Sequence, residues 1–327
     1  MKSFENVDVK SVKEAVGLLQ KFHNEKKSAQ IISGGTELLQ LMKDRVATPQ
    51  YLINLKTIPG LNDIKEERSG FRIGALTTLT EIEENKGVQE KLLFLSQAAG
   101  EAASPQLRNA GTIGGNICQR PFCWYFRSAN FTCLRKGGEI CYAVAGDSRY
   151  HAILGGGPSY IVHPSDLAPV LIALNARIKI TGPSGEKVIP LEKFFVLPQV
   201  DYKRENILQP GEIVTEIQVP HPTAGSKGFY HKVRERQAWD HAIVSVSTVV
   251  QAKGGICQDA RVVLGGVAPI PWRAAKAETF LRGKKVDDGS AQQAGEIALE
   301  GARPMKDNVY KVGLAKSLIQ RALLAST

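Results

Sequence analysis

The stretch GTIGGN, residues 111–116, and the shorter SGGT, residues 33–36, are two glycine-rich loops that decide how this sequence is interpreted. Glycine lets the backbone approach a phosphate closely, and a helix that starts behind such a loop offers free N–H groups. Thr36 leads into a helical stretch, so its hydroxyl and the N–H groups behind Gly34 and Gly35 are suited to hold a diphosphate. The alternative is that each pair of glycines forms an ordinary tight turn.

The two loops also exclude familiar nucleotide sites. Neither has the G-x-G-x-x-G pattern of a Rossmann dinucleotide fold, and no P-loop lysine follows either one. A diphosphate bound here therefore belongs to a different fold.

Length and composition limit the protein class. The chain has 327 residues, which predicts two or three domains, and its hydrophobic content of 43% is typical of globular proteins. No apolar run approaches the ~20 residues of a membrane span, and the N-terminus MKSFENVDVK lacks the apolar core of a secretory signal. We therefore expect a cytoplasmic protein, or a periplasmic one if a partner subunit carries it across a membrane.

The net charge of +10 suits either nucleic-acid binding or acidic partners and anionic cofactors. Because the basic residues are spread along the chain without a basic run, the sequence favours the second possibility.

Strand and helix patterns alternate through the first hundred residues. Ser11 and Glu14 have the spacing of a capping box and predict a helix start, and Thr80 and Glu83 predict another. The Pro/Gly/Ser-rich piece HPTAGSKG, residues 221–228, reads as a linker before further strands and closing helices. The sequence thus predicts an α+β protein with two main domains.

Four of the five cysteines lie in one short segment that is rich in aromatic and basic residues. Their spacings of four, nine and seven residues match neither a zinc ribbon nor the familiar ferredoxin patterns. Four thiolates are nonetheless the full ligand set of a 4Fe–4S cluster, so a cluster, zinc or no metal remain open at this point. The candidate ligands are Cys118, Cys123, Cys133 and Cys141; nearby aromatic residues would exclude water, and the basic residues that would offset a cluster's charge are Arg127, Arg135 and Lys136.

Six stretches in order resemble the FAD-binding subunit of the xanthine dehydrogenase family of molybdenum hydroxylases. They are IISGGTELLQLMK (31–43), RIGALTT (72–78), ASPQLRNAGTIGGNICQ (103–119), VHPSDLAPVLIALNARI (162–178), HKVRERQAWDHAIVSVS (231–247) and VVLGGVAPIPWR (262–273). The resemblance implies a PCMH or vanillyl-alcohol-oxidase-type FAD-binding domain of two α+β subdomains over residues 1–222. It also implies a C-terminal α+β domain of the CO dehydrogenase flavoprotein type over residues 223–327.

The resemblance places FAD between the two subdomains, with its pyrophosphate on the two glycine loops. The implied FAD-binding residues are Ser33, Gly34, Gly35, Thr36, Glu37 and Leu38 in the first loop, Ala75, Thr77 and Thr78 in GALTT, Thr112, Gly114, Gly115 and Asn116 in the second loop, Asp166 of HPSD, and Lys232.

Two of these residues have alternative interpretations. Asp166 precedes a helix and is equally suited to be its N-cap. Lys232 alternates with Arg234 and Arg236, so on a strand the three share one face. We expect Lys232 to lie nearest the flavin, where a positive charge favours the reduced anion.

The cysteine segment resembles a loop that some members of the family carry. The flavin subunits of 4-hydroxybenzoyl-CoA reductase and of some bacterial aldehyde oxidoreductases have an inserted 4Fe–4S loop here, and CWYFR, CLRKGGEIC and RYHAILGG are similar to it. The insertion covers about residues 117–156. The resemblance therefore implies a 4Fe–4S cluster, with the role of Cys118 the least defined because ligand patterns vary. Cys257 is expected to be an ordinary packed thiol.

The function implied is an oxidoreductase subunit that passes electrons between the 2Fe–2S clusters of a small subunit and an external carrier such as ferredoxin, NAD, quinone or oxygen. Substrate is oxidised or reduced on a large molybdopterin-binding subunit, so no catalytic acid or base is expected on this chain. Two alternatives stay open: a stand-alone flavin oxidase of the same fold, and a basic zinc module that binds nucleic acid.

Overall fold

The structure, a computed structural model, describes residues 1–237 and 239–327. Its strands are β1 (Glu5–Asp8), β2 (Ala29–Ile32), β3 (Tyr51–Asn54), β4 (Ile64–Glu67), β5 (Gly70–Gly74), β6 (Arg177–Gly182), β7 (Gly185–Pro190), β8 (Ile213–Pro220), β9 (Ser226–Val233), β10 (Val244–Lys253), β11 (Ile256–Gly265) and β12 (Trp272–Arg273). Its helices are α1 (Val12–Asn24), α2 (Leu38–Lys43), α3 (Leu79–Glu84), α4 (Lys86–Lys91), α5 (Leu93–Gly100), α6 (Pro105–Arg108), α7 (Ile113–Ile117), α8 (Trp124–Arg127), α9 (Leu167–Ala173), α10 (Ala275–Leu281), α11 (Asp288–Ala298) and α12 (Tyr310–Ala325).

The strands form three sheets. A parallel sheet has the order β1-β3-β2, a five-stranded antiparallel sheet has the order β4-β5-β8-β6-β7, and a four-stranded antiparallel sheet has the order β12-β11-β10-β9. The first glycine loop follows β2 of the parallel sheet. The second comes after β5 of the five-stranded sheet and the four short helices α3–α6, and it runs into α7. The α+β prediction is confirmed by this architecture.

Each sheet has its own hydrophobic core, and a fourth cluster belongs to the cysteine segment. The large core under the five-stranded sheet also includes Tyr230 and Val263 of the third sheet. The core of the C-terminal sheet and helices includes Ile153 and Leu154, which end the cysteine segment. Apolar burial therefore joins the C-terminal region both to the second sheet and to the cysteine segment.

Local capping was predicted with mixed success. Ser11 is the N-cap of α1, and its hydroxyl accepts from the Glu14 N–H at 3.2 Å. The capping box predicted at Thr80 and Glu83 is wrong, because α3 begins two residues earlier with Thr78 and Glu81 in those roles. Both pairs satisfy the spacing rule, but only Thr78 and Glu81 coincide with the backbone turn that enters α3.

The end of the cysteine segment is fastened to α12 and the residues before it. The Asn308 side chain donates to the His151 carbonyl at 3.0 Å, and Ser148 bonds the Asp307 carboxylate. The Lys311 amine is fully buried and donates to the carbonyls of Tyr150 at 2.9 Å and of Gly266 at 2.8 Å. The end of the cysteine segment is therefore held in place by residues of the C-terminal domain, which come much later in the sequence.

We predict that Lys311→Met lowers the free energy of unfolding by about 1–3 kcal/mol near pH 7, because two buried carbonyls lose their donor. Burial also lowers the pKa of Lys311 from 10.5 to about 7. The unfolded chain then binds more protons between those values, so stability in the wild type should rise with pH across that window. Denaturant titrations from pH 7 to 10 should show this rise in the wild type and a weaker one in the variant; equal slopes would contradict the assignment.

Candidate functional site

The two glycine loops touch each other. The Ser33 hydroxyl lies 3.1 Å from the Thr112 hydroxyl. A Cβ added to Gly34 would lie 1.9 Å from the Ala110 carbonyl oxygen, a distance that no real side chain tolerates. Gly35 has φ +71°, a left-handed conformation that favours glycine. The predicted loops are thus brought together from different sheets, and glycine is required where they meet.

The second loop is built around a short helix start. Thr112 is the N-cap of α7, and its hydroxyl accepts from the Gly115 N–H at 3.2 Å. The GALTT segment lies against this turn, because Ile113 N–H donates to the Thr77 carbonyl and Gly114 N–H to the Ala75 carbonyl, both at 2.9 Å. The structure therefore places Ala75, Thr77 and the second loop in one group, with Thr78 bridged to Thr112.

The chemistry of this group fits a diphosphate. Thr77 is 0% exposed, and its buried hydroxyl has no hydrogen-bond partner in the described residues. Such an orphaned buried hydroxyl is uncommon in proteins and is explained by a missing ligand or water. Gly34, Gly35, Gly114 and Gly115 keep side chains away from the backbone N–H groups. The residues present therefore fit FAD.

The rest of the first loop has a different partner. Thr36 is exposed and Leu38 begins α2, and the Glu37 carboxylate is held by the Arg127 guanidinium at 2.6 and 2.8 Å. Arg127 lies in the cysteine segment, in α8. This ion pair, in which one guanidinium nitrogen donates to both carboxylate oxygens, connects the first glycine loop directly to the cysteine segment.

Asp166 and Lys232 form a buried ion pair. The Lys232 amine donates to the Asp166 carboxylate at 2.8 Å, with side chains 0% and 5% exposed, and to the Glu101 carbonyl at 3.0 Å. Tyr230 donates its hydroxyl to the same carboxylate at 3.1 Å. Burial and the Asp166 charge raise the pKa of Tyr230 well above its usual range, so it stays a donor.

The side chain of Asp166 does not cap α9, the alternative role that the sequence allowed. Asp166 stands at the N-cap position of α9 without a side-chain capping bond, and the Ser165 hydroxyl accepts from the Ala168 N–H instead. Ser165 also donates to the Asn116 side chain at 2.5 Å, which places this corner beside the second loop. Sequence reasoning missed Tyr230, although Tyr230 and Lys232 are two residues apart on β9 and so share a face.

The basic residues beyond Lys232 do not continue the strand, because β9 ends at Val233. Arg234 donates to the Glu101 carbonyl at 2.8 Å, whereas Arg236 pairs with Asp240. The predicted shared face therefore holds only Lys232 within the strand.

Three of the four clustered cysteines line one small cavity. They are Cys123, Cys133 and Cys141, and Phe126, Tyr142 and Ser159 lie in the same wall. Burial, with smaller contributions from the neighbouring Cys141 and Cys133, raises the pKa of Cys123 to about 11. The Nε2 atom of His151 lies 3.3 Å from the Cys123 sulfur.

Cys118 lies apart from these three. It ends α7 and packs against the core under the five-stranded sheet, where burial raises the pKa of its thiol to about 12. Over residues 1–237 and 239–327, no group of three His, Cys, Asp or Glu side chains is arranged to hold a metal ion. The predicted four-cysteine set is thus brought together only in part.

The basic residues of this segment are occupied by carboxylates and carbonyls. Arg135 donates to buried Glu205 at 2.5 Å, and Arg120 pairs with the same carboxylate at 2.7 Å. Lys136 donates to the Tyr125 carbonyl at 3.0 Å. Arg127 is paired with a carboxylate as well. Of the three residues predicted to offset the negative charge of a cluster, only Lys136 is therefore without a carboxylate partner in the described residues.

A larger cavity lies elsewhere, between α1 and the five-stranded sheet, and none of the predicted site residues lines it. Its charges pair with one another, as in Arg72–Glu216 at 2.6 Å and Lys179–Glu186 at 2.7 Å. The volume of this cavity therefore does not make it the candidate functional site.

Comparison with known proteins gives consistent matches along the chain. The family described as "FAD binding domain in molybdopterin dehydrogenase" matches residues 2–222, and "CO dehydrogenase flavoprotein C-terminal domain" matches residues 229–326. The chain is 36% identical to the aldehyde oxidoreductase FAD-binding subunit PaoB of Escherichia coli strain K12, over 90% of each chain. It is 30% identical to the carbon monoxide dehydrogenase medium chain of Hydrogenophaga pseudoflava, over 99% of this chain and 96% of that one.

Solved structures agree with the sequence comparisons. The carbon monoxide dehydrogenase structure from Hydrogenophaga pseudoflava matches with a TM-score of 0.79 and 31% identity, covering 99% of this chain and 97% of that one. The predicted fold type is therefore confirmed. No helix in the described part of the chain is long and apolar enough to cross a membrane.

We predict that Gly34→Ala weakens FAD binding at least about tenfold, roughly 1.4 kcal/mol, because its Cβ would collide with the Ala110 carbonyl. The measurement is fluorescence titration of FAD into the deflavinated protein. Gly17→Ala is the matched control, since Gly17 is exposed in α1 with open space around it. The control should bind FAD normally; equal affinity of Gly34→Ala and wild type would contradict the loop contact.

We predict that Asp166→Asn lowers the free energy of unfolding by about 3 kcal/mol, because it leaves the buried Lys232 amine without a countercharge. Asp240→Asn serves as the control, because its partner Arg236 is 73% exposed and surface pairs contribute about 1 kcal/mol or less. Urea unfolding of both variants tests this, and similar losses in the two would argue against a special buried pair.

Proposed function

Because this chain belongs to the family of FAD-binding medium subunits of molybdenum hydroxylases, we propose that it is the electron-transfer subunit of a molybdenum-dependent dehydrogenase and that it carries a 4Fe–4S cluster beside its FAD. The observation that carries the proposal is the Arg127–Glu37 ion pair, which joins the cysteine segment to the first glycine loop. The glycine loop proposed to bind the flavin is thus in direct contact with the segment that carries the thiols.

The two glycine loops and GALTT would hold the FAD diphosphate. Backbone N–H groups around Gly34 and Gly35 and the unpartnered Thr77 hydroxyl would supply donors, and the Ser33–Thr112 contact fixes the loops relative to each other. FAD, when bound, accepts or gives electrons singly or in pairs, which suits a link between iron–sulfur clusters and a soluble carrier.

Lys232 is proposed to act on the flavin site by position rather than by contact. Its amine is committed to Asp166 and the Glu101 carbonyl, and Asp166 adjoins Ser165, which bonds Asn116 of the second loop. The pair therefore keeps α9 and β9 in place behind the loop and leaves no net charge there.

The thiols of Cys123, Cys133 and Cys141 would hold the cluster. Thiolates are the ligands that iron–sulfur clusters use, and the described residues show these cysteines unpaired by disulfides. The aromatic side chains of Phe126 and Tyr142 and the buried Ile161 line the cavity and would exclude water. A 4Fe–4S cluster, when bound, carries one electron at a time, so it would extend the electron path beyond the flavin.

The partners follow from the family. We propose a large molybdopterin-binding subunit, where substrate reacts, and a small subunit with 2Fe–2S clusters. The external carrier is a soluble or membrane-bound redox partner such as ferredoxin, NAD, quinone or oxygen. The family assignment favours neither a stand-alone flavin oxidase nor a zinc module that binds nucleic acid.

The test is anaerobic purification and reconstitution of the full chain, with FAD, iron, zinc and sulfide measured on the same sample. We expect about one FAD and four irons per chain, with broad absorbance near ~400 nm under the flavin bands. FAD without iron after reconstitution would remove the cluster from the proposal, and zinc without FAD would overturn it.

Cys133→Ala should abolish iron binding and retain FAD, because Cys133 lies in the cluster of Leu41, Phe126 and Ile161, outside both glycine loops. Cys257→Ala is the matched control, since Cys257 is buried in the C-terminal core. Loss of iron in both variants, or in neither, would contradict the assignment of Cys133 as a ligand.

A further inference from the structure

The cysteine cavity has three thiols, whereas a 4Fe–4S cluster has four irons to bind. We propose that Ser159, not Cys118, provides the fourth protein ligand of this site. This inference rests on the cluster of the proposed function and assigns a ligand that the cysteine pattern does not reveal.

Cys118 is committed to another part of the fold. Its N–H donates to the Gly114 carbonyl at 3.1 Å as the C-cap of α7, and its side chain packs on the core under the five-stranded sheet. The same short helix carries Gly114, Gly115 and Asn116 of the second glycine loop. Cys118 thus packs on the core beside the second glycine loop and is not among the residues that line the cysteine cavity.

Ser159 is already in the cavity wall. It is 1% exposed and lines the cavity together with Cys123, Cys133 and Cys141. Its backbone carbonyl accepts from the Gly157 N–H at 3.3 Å, a bond that fixes the backbone and does not involve the hydroxyl.

The two residues that follow Ser159 are anchored in the fold. The Tyr160 carbonyl accepts from the Ala152 N–H at 2.8 Å, and Ile161 is buried in the hydrophobic cluster that contains Cys123 and Cys133. A ligand next to two such anchored residues is positioned by the fold itself, as a metal site requires.

The other polar groups near the cavity have different roles. The Arg135 guanidinium is paired with Glu205, and the Tyr125 hydroxyl donates to the Asp147 carbonyl at 3.2 Å. His151 Nε2 lies at hydrogen-bond distance, 3.3 Å, from the Cys123 sulfur and does not line the cavity. His151 would therefore be a positioning residue, donating its Nε2–H to the Cys123 sulfur once that sulfur is bound to iron as a thiolate, the kind of contact that tunes a cluster's potential.

Coordination by Ser159 changes no oxidation state. The hydroxyl forms an oxygen–iron bond and its proton leaves to solvent, as for any ligand that binds metal in its deprotonated form. Because an oxygen ligand is harder than a thiolate, we expect the iron bound to Ser159 to be the one lost most easily.

The test uses the full chain, reconstituted anaerobically with iron and sulfide, in four variants: Ser159→Ala, Ser159→Cys, Cys118→Ala and His151→Phe. Iron and FAD are counted, and EPR spectra are recorded before and after mild oxidation. Cys118→Ala should keep the wild-type iron content and spectrum. Ser159→Ala should lose about one iron of four and give the signal of a 3Fe–4S cluster.

Ser159→Cys keeps the inference testable if Ser159→Ala fails to fold. It should hold a full cluster that resists oxidation better than wild type, with a changed EPR spectrum and midpoint potential, because all four ligands are then thiolates. His151→Phe should retain four irons and lower the midpoint potential through loss of the N–H···S bond.

Two results would overturn the inference. One is a Ser159→Cys spectrum and potential identical to wild type, and the other is loss of iron in Cys118→Ala with full occupancy in Ser159→Ala. Both leave the cluster of the proposed function intact. Wild-type protein that binds FAD and no iron removes the cluster and this inference together.

Discussion

The contact between the two glycine loops is the constraint on which the rest of the molecule depends. Gly34 lies so close to the Ala110 carbonyl that no side chain fits between them, and the Ser33 and Thr112 hydroxyls meet at 3.1 Å. One loop follows β2 of the parallel sheet, and the other lies between α6 and α7 and is hydrogen-bonded to the segment that leaves β5 of the five-stranded sheet. Their contact therefore sets how the two sheets sit relative to each other, and it leaves backbone groups of the first loop without competing side chains.

A second layer of interactions stabilises this contact from behind. The Lys232 amine crosses from the C-terminal sheet to the Asp166 carboxylate, and Tyr230 donates to the same group. A buried pair of this kind adds little net stability compared with apolar packing, but either partner alone is strongly unfavourable. The pair thus favours one arrangement of the C-terminal domain against the flavin-binding domain.

The cysteine segment is held at both ends. Arg127 ties its first half to Glu37 of the first glycine loop, while Asn308 and Lys311 hold its second half against the C-terminal helix. A segment of this length with only short helical turns loses much conformational entropy when it is ordered. These charged and buried polar contacts offset that cost, and they hold the cysteine segment against the first glycine loop.

The sequence by itself determined the elements whose signals are local: the glycine loops, the cap at Ser11, the α+β pattern and the family motifs. Short-range rules also failed locally, since Thr80 and Glu83 satisfy the capping pattern as well as Thr78 and Glu81 do. Which cysteines share a cavity was decided only by the tertiary structure. Neighbours in sequence are separated when one is drawn into a helix end, as Cys118 is, and distant residues such as Ser159 are brought in by packing.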